Sequence, residues 1–288
     1  MTVPRVAVVT GASRGAGKAV ALELGRADWT VVVTARSARS SPSREGIAGT
    51  IDESAELIES AGGKSVPIRC DHSREEGLVS LAKRLQVEFG RLDLLVNCAW
   101  GGYEEHDLEG FVRPFWEEPT RHWDRMFTAG VRATLLTSAQ LAPLLMSSGG
   151  SCLINIVAWL QGQYLENLYY DTAKSAIIRM TEGMAGELHS HGVAAVVLVP
   201  GFMRTERVTA SHKLHPFDLA STESPAYLGR AVVALAQDPH VLTKSGQVLY
   251  VGELAKFYGF TEVDGTQPPV FRTGDLEKAY EATDTRHR

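Results

Sequence analysis

Cysteine is scarce in this sequence: Cys70, Cys98 and Cys152 are the only three, and none has a second cysteine or a histidine at metal-ligand spacing. Three thiols cannot all pair, so a disulfide framework is excluded, no metal centre is expected, and free thiols predict a reducing compartment, the cytoplasm. Positive charge is not in excess either. A formal net charge of -5 leaves no electrostatic footprint for a nucleic acid. No uninterrupted apolar run is long enough to span a bilayer, and Met1 leads straight into an apolar strand with no basic, leader-like segment before it. Neither nucleic acid nor a membrane is therefore an expected partner. Internal repeats are also lacking.

What remains is a chain of 288 residues with 44% hydrophobic and 22% charged residues, a balance that excludes a disordered polymer and suits a packed core. Short β-branched runs at 5–10, 30–35, 64–70, 92–97, 151–157, 193–199 and 246–251 alternate with amphipathic segments near 15–28, 52–61, 74–89, 119–148, 168–190 and 224–237. Alternation of this kind predicts a doubly wound α/β fold, a parallel seven-stranded sheet with helices on both faces. The runs are continuously apolar rather than alternating, as strands buried on both faces must be. Pro143 predicts a kink or an early end in the helix at 119–148. The Ser-, Gly- and Arg-rich stretch 37–50 reads as a long loop. One domain over 1–288 is expected, with a core at 3–252 and a C-terminal extension at 253–288.

Directly after the first strand stands Gly11-Ala12-Ser13-Arg14-Gly15-Ala16-Gly17, opening into a helix. Glycines there allow a tight turn and a close backbone approach, and a helix N-terminus offers unpaired N–H groups to a pyrophosphate. This is the phosphate cradle of a Rossmann fold. The residue ending the second strand of such a fold reads the adenosine ribose: a carboxylate suits a 2′-hydroxyl and a cation a 2′-phosphate. Here the strand ends Thr34-Ala35-Arg36, with Arg39 behind it and Arg14 in the glycine turn, which favours NADP(H) over NAD(H).

The glycine turn, Asp71 after the third strand, Asn97-Cys98-Ala99 after the fourth, Tyr170-Asp171-Thr172-Ala173-Lys174 and Pro200-Gly201 together resemble the short-chain dehydrogenase/reductase family over about residues 3–252. Phe115-Trp116-Glu117 and the segment from Leu235 through Gly265 are similar to its dehydrogenase/reductase member 1 subgroup. The resemblance implies a cofactor site of Gly11, Ser13, Arg14, Gly15, Gly17, Arg36, Asp71, Asn97, Ala99, Tyr170, Lys174, Pro200, Gly201 and Thr205. Asp71 would flank the adenine, and Thr205 would approach the nicotinamide carboxamide. It also implies Tyr170 and Lys174 as the catalytic pair. Four residues apart on a helix they share a face, so the ammonium can sit near the phenol, lower its pKa and fit it for acid/base work.

The family places a serine twelve or thirteen residues before that tyrosine; here those positions hold Ala158 and Val157, and neither side chain donates a hydrogen bond. The family's asparagine in the preceding long helix falls near Gly130. Either Gln161, Gln163 or Tyr164, in the loop after the fifth strand, substitutes for the serine, or the scaffold has moved to other chemistry. On the substrate side Trp100, Val157, Trp159, Gln161, Tyr164 and Phe202 are expected to line an aromatic-rich pocket for a bulky hydrophobic small molecule. The expected activity is carbonyl reduction or the reverse oxidation. The alternatives are a non-redox cyclase, isomerase or dehydratase, and a non-catalytic NADP(H)-binding protein. Apolar positions such as Leu135, Leu136, Ile177 and Ile178, with the family's habit, predict a homodimer or homotetramer through 119–148 and 168–190.

Overall fold

The computed structural model describes residues 4–43, 47–104, 113–158, 164–212 and 218–271. Seven strands, β1 (Val6–Thr10), β2 (Thr30–Ala35), β3 (Lys64–Arg69), β4 (Leu94–Asn97), β5 (Cys152–Ile156), β6 (Ala194–Val199) and β7 (Val248–Tyr250), form one parallel sheet in the order β3-β2-β1-β4-β5-β6-β7. Each lies within one of the runs read from the sequence. The order reverses between β1 and β4, and in open sheets of this type the crevice at the carboxyl ends of those strands is the binding place.

Successive strand residues face opposite sides, so each strand supplies two layers. Ala7, Val9, Val31, Val33, Val96 and Ile154 pack with Val20, Leu24, Tyr227 and Leu228 on one face. Val6, Val8, Val32, Leu95 and Leu153 pack with Leu78, Leu81, Leu141 and Leu145 on the other. The first layer is covered by α1 (Gly15–Arg26), α2 (Ile51–Ser60) and α8 (Pro225–Gln237), the second by α3 (Glu75–Glu88) and α5 (Ala133–Met146). At one edge of the sheet β3 pairs only with β2 and carries Pro67 opposite Val33.

Start signals are local. Thr50 and Glu53 exchange hydrogen bonds in a capping box at the head of α2, and Asn167 caps α6 (Leu168–Leu188) by accepting from the Tyr170 N–H at 2.9 Å. By contrast Arg14, at the head of α1, makes no side-chain cap.

The long helix expected at 119–148 neither kinks nor ends at Pro143. It consists of α4 (Thr120–Met126), a π-helical turn (Phe127–Arg132) and α5, which runs through Pro143 to Met146. Pro143 lies in the last turn, where the missing N–H frees one carbonyl near a helix end, and its own carbonyl still accepts from Ser147 at 3.2 Å. The irregularity sits instead at the π turn, around Gly130. Two short helices, α7 (Glu206–His212) and α9 (Val251–Tyr258), were not expected; α9 follows β7 with no loop between them. Among the described residues no helix is long and apolar enough to cross a membrane.

Candidate active site

A cleft opens at the carboxyl ends of β1, β2 and β4, lined by Gly11, Ser13, Arg14, Gly15 and Gly17, by Thr205 beside Gly15, and by Trp100 and Tyr103. Gly11 has a φ of +64°, and a Cβ there would lie 2.8 Å from the Ala99 Cα. Only glycine satisfies both demands. The Gly15 N–H, unpaired within α1, donates to Glu206 Oε2 at 2.8 Å, and Lys18 Nζ stands 2.7 Å from Glu206 Oε1. The turn thus binds an anion in this structure, a carboxylate from α7, in the way helix N-termini hold phosphate. Its chemistry and its lack of side-chain bulk suit a dinucleotide's diphosphate.

Beside it, at the end of β2, Arg36 and Arg14 line the same cleft with Ser37 and Asp71. Arg36 is ion-paired with Glu104 and half-exposed. Arg14 donates to the carbonyls of Ala48 and Gly49 and to Ser37 Oγ, each at 3.2–3.3 Å, tying down the loop after β2. Arg39 points elsewhere, to Glu56. Burial works to raise the Asp71 carboxyl, but hydrogen bonds from the Ser73 hydroxyl and N–H, with Arg36 and Arg74 nearby, outweigh it and hold the group below its usual value.

Several expected residues stand away from the cleft lining. The Asn97 side chain does not line it. Its amide donates to Ser138 Oγ at 3.1 Å and Asn155 Oδ1 at 2.9 Å, joining the ends of β4 and β5. Ala99 does line the cleft, and its N–H and that of Cys98 both donate to Thr10 Oγ1 at 3.0 Å. Pro200 and Gly201 lie behind it, the Gly201 N–H donating to Glu223 Oε1 at 2.8 Å. Phe202 is half-buried beside them, its carbonyl accepting from the Glu223 N–H at 2.9 Å. Val157 is not a pocket residue but core, packed with Ile177, Val197 and Val199. One residue on, the opposite face is presented, so Ala158 packs beside Tyr170 and Met126. Tyr164 is more than half exposed. Trp159, Gln161 and Gln163 lie outside the described residues.

Tyr170 and Lys174, in the first two turns of α6, are both buried. The Tyr103 hydroxyl donates to Tyr170 Oη at 2.9 Å, and the two rings stack with centroids 5.8 Å apart. Trp100 meets Tyr170 edge-on at 5.4 Å, and Lys174 Nζ lies 3.3 Å above the Trp100 ring centroid but 5.1 Å from that of Tyr170. The ammonium is therefore held by the indole face rather than directed at the phenol. Burial lowers Lys174 to about 7. Burial, then the contact with Tyr103, holds Tyr170 well above the ordinary phenol value. In this arrangement the Tyr170 phenol is raised rather than lowered, and Lys174 Nζ lies over the Trp100 ring. Space for that indole comes from Gly130, where a Cβ would lie 2.7 Å from Trp100 Cε3.

Tyr103 and Glu206 were not singled out for these places by the sequence. Tyr103 follows Gly101-Gly102, and a Cβ on Gly102 would lie 2.7 Å from Trp100 Cζ2. A paired glycine directly between two aromatics was the available signal.

The short chain dehydrogenase family matches residues 5–214. Dehydrogenase/reductase SDR family member 1 of Mus musculus is 36% identical over 274 residues, 91% of this chain and 84% of that protein. A 3-oxoacyl-[acyl-carrier-protein] reductase of Synechocystis sp. is 30% identical over 86% of this chain and 95% of its own. Among solved structures, a putative dehydrogenase from Xanthomonas campestris superposes with a TM-score of 0.80 at 24% identity, covering 95% of this chain and 98% of that one, a likeness of fold. The chain belongs to the short-chain dehydrogenase family, whose members are nicotinamide-dependent oxidoreductases.

Proposed function

We propose that the protein is an NADP(H)-dependent reductase of a carbonyl on a bulky hydrophobic small molecule, or the reverse dehydrogenase. The observation that carries this reading is the cleft itself: an anion-binding glycine turn and two arginines at the end of β2 line it, and it reaches Trp100 and Tyr103, which pack against the buried Tyr170. The nicotinamide supplies or accepts the hydride when bound. The chain's own residues do the rest. The turn Gly11–Gly17 and the head of α1 hold the diphosphate, and Arg14 and Arg36 meet the 2′-phosphate with charge-assisted hydrogen bonds. Asp71 flanks the adenine. Tyr170 hands its proton to the oxygen of the reduced carbonyl, and Lys174 supports it once the site is loaded.

An apolar substrate is favoured by Trp100 in the cleft and by Phe115 and Trp116, whose rings meet at 5.2 Å on the exposed stretch before α4. The same reading takes 1–288 as one domain in the cytoplasm, paired with further copies through α4, α5 and α6. Leu135 lies exposed on α5, as such pairing needs, whereas Ile177 is buried in the core and Leu136 and Ile178 pack against it.

A non-redox reaction is the second reading, favoured by one observation: the position beside Tyr170 where the family carries a serine presents only the Ala158 methyl. Oxidation of NADPH over a panel of ketones, aldehydes and quinones separates the two. Under the first reading Tyr170→Phe abolishes turnover and leaves NADPH affinity unchanged; turnover of a metabolite that needs no NADPH oxidation and survives Tyr170→Phe would favour the second.

A further inference from the structure

We propose that Tyr103 is a catalytic residue, its hydroxyl supplying to the substrate's carbonyl oxygen the hydrogen bond that Ala158 cannot give. This rests on the reductase reading above. Ala158, two residues after β5, packs beside Tyr170 and offers no donor there. Tyr103 approaches the same point from the loop after β4, and its Oη lies 2.9 Å from Tyr170 Oη. A reacting oxygen placed about 3 Å from both hydroxyls accepts from each once Tyr103 turns its single proton from Tyr170 Oη to that oxygen.

Tyr103 is held for this task. Its ring stacks on Tyr170 and meets the edge of Trp100 at 5.9 Å, and the Arg207 guanidinium lies 5.5 Å from its ring centroid. A cation near a phenol strengthens it as a donor. Burial keeps Tyr103 above the ordinary phenol value, so it stays protonated at neutral pH. Such a group donates a hydrogen bond throughout without surrendering its proton.

The step balances. The carbonyl carbon receives the hydride, and its oxygen keeps the electron pair of the broken π bond and then takes the proton of Tyr170. The carbonyl is reduced to an alcohol, the dihydronicotinamide is oxidised by two electrons, and Tyr170 recovers a proton from solvent. The Tyr103 hydroxyl stabilises the charge growing on the oxygen, which is strongest in the transition state, so its removal acts on kcat rather than KM.

The test is steady-state reduction of 4-nitroacetophenone with NADPH by four proteins: wild type, Tyr103→Phe, Ala158→Ser, and the double variant, with NADPH affinity measured for each by calorimetry. Loss of one oxyanion donor is expected to lower kcat roughly 10²-fold in Tyr103→Phe, with KM and NADPH affinity within about twofold of wild type. In that background Ala158→Ser should recover at least about tenfold, because its hydroxyl serves the same oxygen, while in wild type it should add much less. A purely packing role for Tyr103 would not be rescued by a serine at position 158, just after β5. The proposal is overturned if Tyr103→Phe keeps wild-type kcat, if the double variant is no faster than Tyr103→Phe, or if Tyr103→Phe loses NADPH affinity. In those cases wild-type turnover leaves the reductase reading standing. A wild type that oxidises no NADPH with this ketone or with any other carbonyl of the panel brings down that reading and this proposal together.

Discussion

Gly130 and Trp100 share one volume: the side chain that residue 130 lacks is the space the indole fills, and on that indole rests Lys174 Nζ, 3.3 Å from the ring centroid. A methyl at 130 has nowhere to go unless Trp100 moves. Gly130→Ala should therefore displace Trp100, lower thermal stability by about 1–3 kcal/mol as overpacking does, and reduce turnover through the misplaced lysine. Combined with Trp100→Phe, which removes part of the ring, the stability loss should shrink. Thermal melts of the two variants check this, and equal losses in both would refute the shared-volume account.

Glu104 holds Arg36 in an ion pair at the cleft. An incoming 2′-phosphate must take Arg36 from that carboxylate and also tolerate its charge. An exposed pair of this kind is worth about 0.2–1 kcal/mol, so Glu104→Gln should tighten NADPH binding a few-fold and leave NADH nearly unchanged. Arg36→Asp should erase or reverse the preference for NADPH. Calorimetric titration with both cofactors decides; equal affinity of the wild type for the two would remove Arg36 from its assigned role.

Glu206 acts at the other end of the cofactor site. Its carboxylate accepts from the Gly15 N–H and pairs with Lys18, so any diphosphate reaching the head of α1 has to replace it. Glu206→Gln should tighten NADPH and NADH alike, by roughly three- to tenfold. Such indifference to the 2′-phosphate distinguishes it from Glu104→Gln, and a selective effect on NADPH would show that Glu206 acts elsewhere.

Glu223 sets a pH dependence. Burial raises its carboxyl from 4.5 to about 7, against the Gly201 N–H that lowers it and with the help of the nearby Glu262 charge. A folded-state value above the unfolded one means that the native protein holds an extra proton between about pH 4.5 and 7. This group's contribution to stability is therefore complete below the lower value and lost as pH rises through the upper one. Glu223→Gln keeps an acceptor for Gly201 and cannot ionise. It should be more stable than wild type by on the order of 1–3 kcal/mol near pH 8, with the gap closing toward about pH 4.5. Denaturant melts at both ends of that range test it; a gap independent of pH would contradict the assignment.

All seven strands and the glycine turn were legible in the sequence, because the five inner strands are largely apolar and buried and a phosphate turn needs glycine at fixed places; the expectation of burial on both faces fails for the edge strands, β3 with its exposed Lys64, Pro67 and Arg69 and the half-buried β7. The 119–148 helix misled: Pro143 carries a strong local signal, yet it falls in a last turn that tolerates it, while the π turn answers to the packing of Gly130 against Trp100. Val157 and Ala158 could not be told apart, since a one-residue difference in register decides which faces Tyr170. Arg39 looked like Arg36 in sequence, but its partner Glu56 lies on α2. Tyr103 could be placed among the aromatics at the carboxyl edge of the sheet, but its contact with Tyr170 depends on how a loop folds over two glycines, and loop geometry leaves no periodicity to read.

Pro67 lies on β3, the strand at one end of the sheet. An edge strand normally offers a row of N–H and C=O groups that can recruit a foreign strand, and proline interrupts that row by withholding a donor. The flanking Lys64 and Arg69 are exposed and charged. Growth of the sheet by intermolecular strand addition is thus disfavoured at this end, which guards the chain against fibrillar self-association.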